Sequence, residues 1–160
     1  MAKVGISIII CTLCSLAIAV VASPIQIHAG FEFLGTVEGK IFVRPILGPG
    51  SDNLTYQDAI ATCASAGYRI ATLESQAQND IAEQNLRWSW IDGIDLQTPD
   101  VFFSVNTGKN LTYFNWGRNR PVIGKDDRNC IRFSCAGGVC EWLDVKCTDK
   151  YTVICQLLVQ

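Results

Sequence analysis

Histidine is almost missing from this chain. The one present, His28, lies close to the N-terminus. Without a histidine further on, no Ser-His-Asp or Cys-His set can form in the body of the protein. The cysteines likewise lack the imidazole partners of mixed zinc sites. The adjacent carboxylates Asp126 and Asp127 stand in a polar stretch and read as solvated. Enzymatic activity is therefore not expected, and no cofactor is implied. Charge of one sign is also lacking: 13 Lys and Arg stand against 15 Asp and Glu, a formal net of −2. That balance offers nothing to a nucleic acid. No repeat, low-complexity tract or internal linker interrupts the chain.

Long apolar runs are confined to one place. Residues 4–21 are apolar apart from Cys11, Thr12, Cys14 and Ser15, follow a single Lys3 and end on Ala22-Ser23. This is the pattern of a secretory signal peptide over residues 1–22. Cleavage after Ala29 is a second option, and would remove His28. An uncleaved anchor is the competing reading, since 18 residues nearly span a bilayer. With cleavage, Cys11 and Cys14 leave together, so their C-x-x-C spacing is not a redox or zinc motif. The expectation is a secreted, extracellular protein with no membrane span and a mature charge of −3 once Lys3 is lost.

What remains is one domain's length. Residues 23–39 read as an N-terminal arm and 40–157 as the domain, with Lys40 to Val43 a short strand. Six cysteines follow the leader: Cys63 alone, then Cys130, Cys135, Cys140, Cys147 and Cys155 within the last 31 residues. In an oxidising compartment they form a disulfide framework, although six cysteines allow fifteen pairings. Asn53-Leu54-Thr55 and Asn110-Leu111-Thr112 are candidate glycosylation sites.

Helix signals come early. Thr55-Tyr56-Gln57-Asp58 resembles a capping box. Tyr56, Ala59, Ile60 and Cys63 then fall on one helical face, turning Cys63 into the core, and Gly67 stops the helix. Arg69 to Leu73 reads as a strand, and Ser75-Gln76-Ala77-Gln78 opens a second helix to about Asn85. Beyond it the signals are short strands. Trp88 to Ile94 is one, and Val101–Phe103 with Leu111–Tyr113 is a hairpin-like pair around Asn106-Thr107-Gly108-Lys109. The late strands are Cys130–Phe133, Glu141–Val145 and Tyr151–Cys155. Early helices followed by strands predict an α+β fold. Residues 116–129 have no periodicity and form a long irregular loop, the kind that is functional or disordered.

The ordered set Tyr56-x-x-Ala59-x-x-x-Cys63, Leu73, Trp90-Ile91-Asp92-Gly93, Gly108-x-x-Leu111-x-Tyr113-x-Asn115-Trp116, Asn129-Cys130-Ile131, Trp142-Leu143-Asp144 with Cys147, and Val153-Ile154-Cys155-Gln156 resembles the C-type lectin-like domain. The resemblance covers Lys40 to Gln156. It implies two helices, small antiparallel sheets, a long loop, and the bridges Cys63–Cys155 and Cys130–Cys147. Cys135 and Cys140 are left for a local bridge across Ala136-Gly137-Gly138-Val139, with intermolecular linkage as the alternative. Trp90, Trp116 and Trp142 fall at core positions, while Trp88 and Phe102-Phe103 are free to line a surface.

The family's sugar site is a calcium site with E-P-N or Q-P-D in the loop, a Glu before the third framework cysteine, and W-N-D on the next strand. Here the matching residues are Arg120-Pro121-Val122, Arg128 and Trp142-Leu143-Asp144. Only Asp144 is retained, so no metal is expected at this site. The bend at Pro121 is expected to persist without the ion. From residue 118 to 132 five cations, Arg118, Arg120, Lys125, Arg128 and Arg132, face two anions, a local net of +3 in an otherwise acidic chain. Arg118, Arg120, Pro121, Lys125, Arg128 and Asp144 are thus the candidate ligand-binding residues. The partner expected is a glycan, sulfated or sialylated types included, or an extracellular protein. Internal Arg–Asp pairing is the competing account of those charges. The alternative function is a lectin with unusual calcium geometry at Asp126, Asp127 and Asp144, or with a separate sugar groove.

Overall fold

The computed structural model describes residues 26–46, 48, 53–85, 88–95, 101–122, 124 and 127–158. Residues 1–22, Lys125 and Asp126, on which expectations were placed, lie outside them. No helix among the described residues is long and apolar enough to cross a membrane.

Among the described residues two helices and eight strands follow in the order β1 (Phe31–Val37), β2 (Lys40–Pro45), α1 (Tyr56–Ser65), β3 (Arg69–Ile70), α2 (Gln76–Asn85), β4 (Trp88–Ile94), β5 (Cys130–Ala136), β6 (Val139–Val145), β7 (Thr152–Val153) and β8 (Cys155–Leu158). The first sheet has strand order β1-β2-β8-β3 and the second β6-β5-β4-β7. These strands pair antiparallel except β4 with β7, which run parallel at Ser89–Thr152 and Trp90–Val153. The small sheets expected are thus antiparallel but for that one pair. The late strand read over Tyr151–Cys155 is divided between the two sheets, so the chain steps from one to the other at Ile154.

The helices start where their caps dictate. Thr55 accepts a hydrogen bond from the Asp58 backbone N–H, and Asp58 answers the Thr55 N–H, a reciprocal capping box. Tyr56, Ala59 and Cys63 then line the buried face. Gly67 follows with φ 77°, a left-handed conformation that costs glycine little. Ser75 caps α2 through the Gln78 N–H.

Two apolar clusters form the interior, one around Tyr56, Cys63, Trp90 and Val153, the other around Phe42, Leu73, Ile91, Phe133 and Trp142. Trp116 is only half buried, and Phe102 is fully inside rather than on a surface. The disulfides are Cys63–Cys155, Cys130–Cys147 and Cys135–Cys140. The first ties α1 to the first sheet. The third closes the β5–β6 hairpin, where Cys135 and Cys140 face each other in register.

Two sequence expectations change in detail. The strand read over Arg69–Leu73 stops at Ile70, because the Ala71 N–H goes to Ile154 and the Thr72 N–H to the Gln156 side chain. The hairpin expected around Thr107-Gly108 is reduced to isolated bridges, Ile94 to Phe103 and Phe103 to Asn110. Its turn is instead held by the buried Asp92. One carboxylate oxygen of Asp92 accepts from the Thr72 and Ser104 hydroxyls and the Asn106 amide, the other from the Val105 N–H.

Candidate functional site

Strand β6 carries Trp142, Leu143 and Asp144 past the start of the irregular loop. Asp144 pairs with Ile131 across the sheet, and both side chains are buried. Trp142 is held from two sides. Its indole N–H donates to Asn79 Oδ1 at 2.9 Å, and its backbone N–H donates to the Asn115 carbonyl. The loop therefore leaves the core at a fixed point, beside Trp116, which forms a bridge with Trp142.

The loop then folds back onto Asp144. Arg120 Nη1 donates to Asp144 Oδ1 at 2.9 Å and to the Asp144 backbone carbonyl at 3.0 Å. The Val122 N–H donates to the second carboxylate oxygen at 3.0 Å. Arg128 Nη1 approaches the same backbone carbonyl at 3.4 Å. The Arg120–Pro121 peptide between these contacts is cis, the bend expected from the retained proline. Asp144 is only 1 % exposed, and both of its oxygens are thus taken by protein donors.

Arg118 is exposed. Asp127 is held by Lys146 at 2.6 Å, and that ammonium keeps its carboxyl below the usual carboxylate range. Arg120 is turned inward as Asp144's partner. Internal Arg–Asp pairing, weighed from sequence as the competing account, describes Arg120. Asn53 and Asn110 both lie exposed. Among the described residues no group of three or more His, Cys, Asp or Glu side chains is placed to hold a metal ion.

Sequence reasoning missed the part played by Val122. Its side chain offers calcium nothing, but its backbone N–H completes the coordination of Asp144. No residue pattern announces a backbone donor, because every residue but proline carries one.

A model of the lectin C-type domain matches residues 52–157, and the chain belongs to that family. Members of this family are binding modules for glycan or protein ligands. A tetranectin-like protein of Carcharhinus perezii is 31% identical over 115 residues, covering 70% of this chain and 68% of that one. Human tetranectin is 27% identical over 112 residues, and the match spans 64% of this chain but only 54% of the relative. Among solved structures, a calcium-independent type II antifreeze protein superposes with a TM-score of 0.69 at 18% identity, over 84% of this chain and 96% of the other.

Proposed function

We propose that this protein is a secreted recognition module that binds an extracellular glycan or protein without calcium in its long loop. The observation that carries this reading is the Arg120–Asp144 bridge. A calcium ion takes 6–8 oxygen ligands, chiefly carboxylates and carbonyls. At the matching positions Arg120, Val122, Arg128 and Leu143 offer no side-chain oxygen. The single carboxylate, Asp144, already has a guanidinium on one oxygen and a backbone N–H on the other. This donor set does not fit the ion. The guanidinium takes over the cation's place as neutraliser of Asp144, and the loop is closed by protein alone.

Secretion is supported by the leader over residues 1–22, and glycans at the exposed Asn53 and Asn110 are consistent with it. The preference for an acidic ligand rests on Arg118, Lys125 and Arg128, with Arg120 holding the loop rather than meeting the ligand. Pro121 and Asp144 belong to the same support.

The test is a glycan-array screen of the purified protein with and without EDTA, including sulfated and sialylated structures. Binding that survives EDTA and weakens in high salt is the expected result. Calcium-dependent retention on mannose or galactose resin overturns the reading.

A further inference from the structure

The second sheet has another face. Asp144 leaves it with Ile131, so the adjacent pair, Arg132 with Leu143, leaves on the opposite side. On that side Trp88, at the start of β4, stands 54 % exposed, while Trp90 and Trp142 are wholly buried. The Arg132 guanidinium carbon lies 5.4 Å from the Trp88 ring centre and 4.6 Å from that of Tyr151. Tyr151 is itself held in place. Its backbone exchanges hydrogen bonds with Leu54, and its ring packs edge-on against Trp90 at 4.9 Å.

Arg132 is a half-buried cation without an ion pair among the described residues, where the paired cations are Lys40, Arg44, Arg120 and Lys146. Its Nε is buried and meets no hydrogen-bond acceptor. Its polar neighbour is the Tyr151 hydroxyl, which Asp149 also meets at 3.4 Å. Ring contacts offset the positive charge, but they accept none of the in-plane N–H donors that make arginine a fork for oxyanions.

We propose that Trp88, Arg132 and Tyr151 form a second binding site, on the sheet face opposite the long loop, for an oxyanion-bearing saccharide. The flat, open indole of Trp88 receives the C–H face of a sugar ring, and Arg132 receives its sulfate or carboxylate. Charge complementarity selects an anionic ligand. An acidic peptide adding as a strand is disfavoured, because β4 is already paired with β5 on one side and β7 on the other. The site uses none of the loop residues, so it stands or falls separately from calcium-free binding at Arg118 and Arg128.

The test is titration calorimetry of the full disulfide-bonded protein with a heparin-type sulfated hexasaccharide and with its desulfated, still carboxylated counterpart. Trp88→Ala and Arg132→Gln are each expected to weaken the bound probe at least tenfold, with Trp88→Phe recovering most of the loss. Arg132→Lys keeps the charge but loses the fork, and is expected to bind nearly as weakly as Arg132→Gln, with its melting temperature reporting the fold. Arg118→Gln is expected to remove only the loop's share of the binding and to leave the share that depends on Trp88 and Arg132 in place, whereas loss of all binding in that variant returns the binding to the loop. The two probes tell sulfate from carboxylate. Folded Trp88→Ala and Arg132→Lys proteins that bind within twofold of the wild type overturn the proposal. So does neutral maltohexaose binding as tightly as the charged sugars, or hexaglutamate binding more tightly than either.

Discussion

Arg120 Nη1 lies 2.9 Å from Asp144 Oδ1 and 3.0 Å from the Asp144 backbone carbonyl, so one guanidinium nitrogen secures a buried carboxylate and its own peptide group together. The contact spans 24 residues of sequence and closes the long loop onto β6. Removing the arginine would leave a buried anion with the Val122 N–H as its remaining close donor. Arg120→Ala is accordingly expected to cost about 3 kcal/mol in urea unfolding, the scale for breaking a buried pair by one partner. Asp144→Asn, which keeps the shape and one acceptor, is expected to cost less.

Calcium binding should be recoverable by restoring oxygen ligands. The combined variant Arg120→Glu, Val122→Asn, Arg128→Glu and Leu143→Asn supplies the side chains that the family uses at these positions. Calcium at about a hundred times the dissociation constant would then stabilise it by about 2.7 kcal/mol. A calcium-dependent rise in melting temperature in the variant, and none in the wild type, is the expected outcome.

Asp92 carries a pH dependence of definite sign. Burial pushes its carboxyl above the usual range, with the Ser104 and Thr72 hydroxyls pulling the other way. A raised pKa in the folded state means that the native protein binds a proton more readily than the unfolded chain. Stability from this group is therefore full below the unfolded carboxyl pKa and falls as pH rises through the raised value. The wild type's advantage over Asp92→Asn in melting temperature is expected to shrink as pH rises above about 4, the unfolded carboxyl value.

The three bridges should differ in worth by the loops they close. In the chain-entropy model, the separation of 92 residues between Cys63 and Cys155 corresponds to about 4–5 kcal/mol. The separation of 17 between Cys130 and Cys147 corresponds to about 3, and that of 5 between Cys135 and Cys140 to about 2. Double Cys→Ser variants ranked by urea midpoint should follow that order.

Gly93 admits no side chain. Its φ of 153° suits glycine, and a Cβ there would overlap Ile131 Cδ1 and come within 3.0 Å of Leu111 Cδ1. Gly93→Ala is expected to destabilise by about 2–3 kcal/mol from overpacking and backbone strain. A melting temperature unchanged from the wild type would contradict the packing at this point.

Local chemistry made much of the fold legible. The Thr55 capping box, the Tyr56–Ala59–Cys63 stripe and the Gly67 stop act within a few residues of themselves, so α1 falls where its sequence places it. β4 follows from its apolar run in the same way. The divided strand at Ile154 and the shortened β3 were not legible, because their backbone groups are claimed by partners far away in sequence, such as Ala71 by Ile154 and Thr72 by Gln156.

The sequence by itself determined which ligands the family's metal site has lost, since Arg120, Val122, Arg128 and Leu143 are identities that no fold can alter. It also placed the cysteines, both helices and β4. Only the tertiary structure decided what the surviving Asp144 does, and which of the loop's cations face inward. It alone brought Trp88, Arg132 and Tyr151 together. The physical reason is common to these cases. A side chain's charge or ring belongs to the residue, but its partner is chosen by strand register and loop closure, which join residues that the linear chain keeps apart.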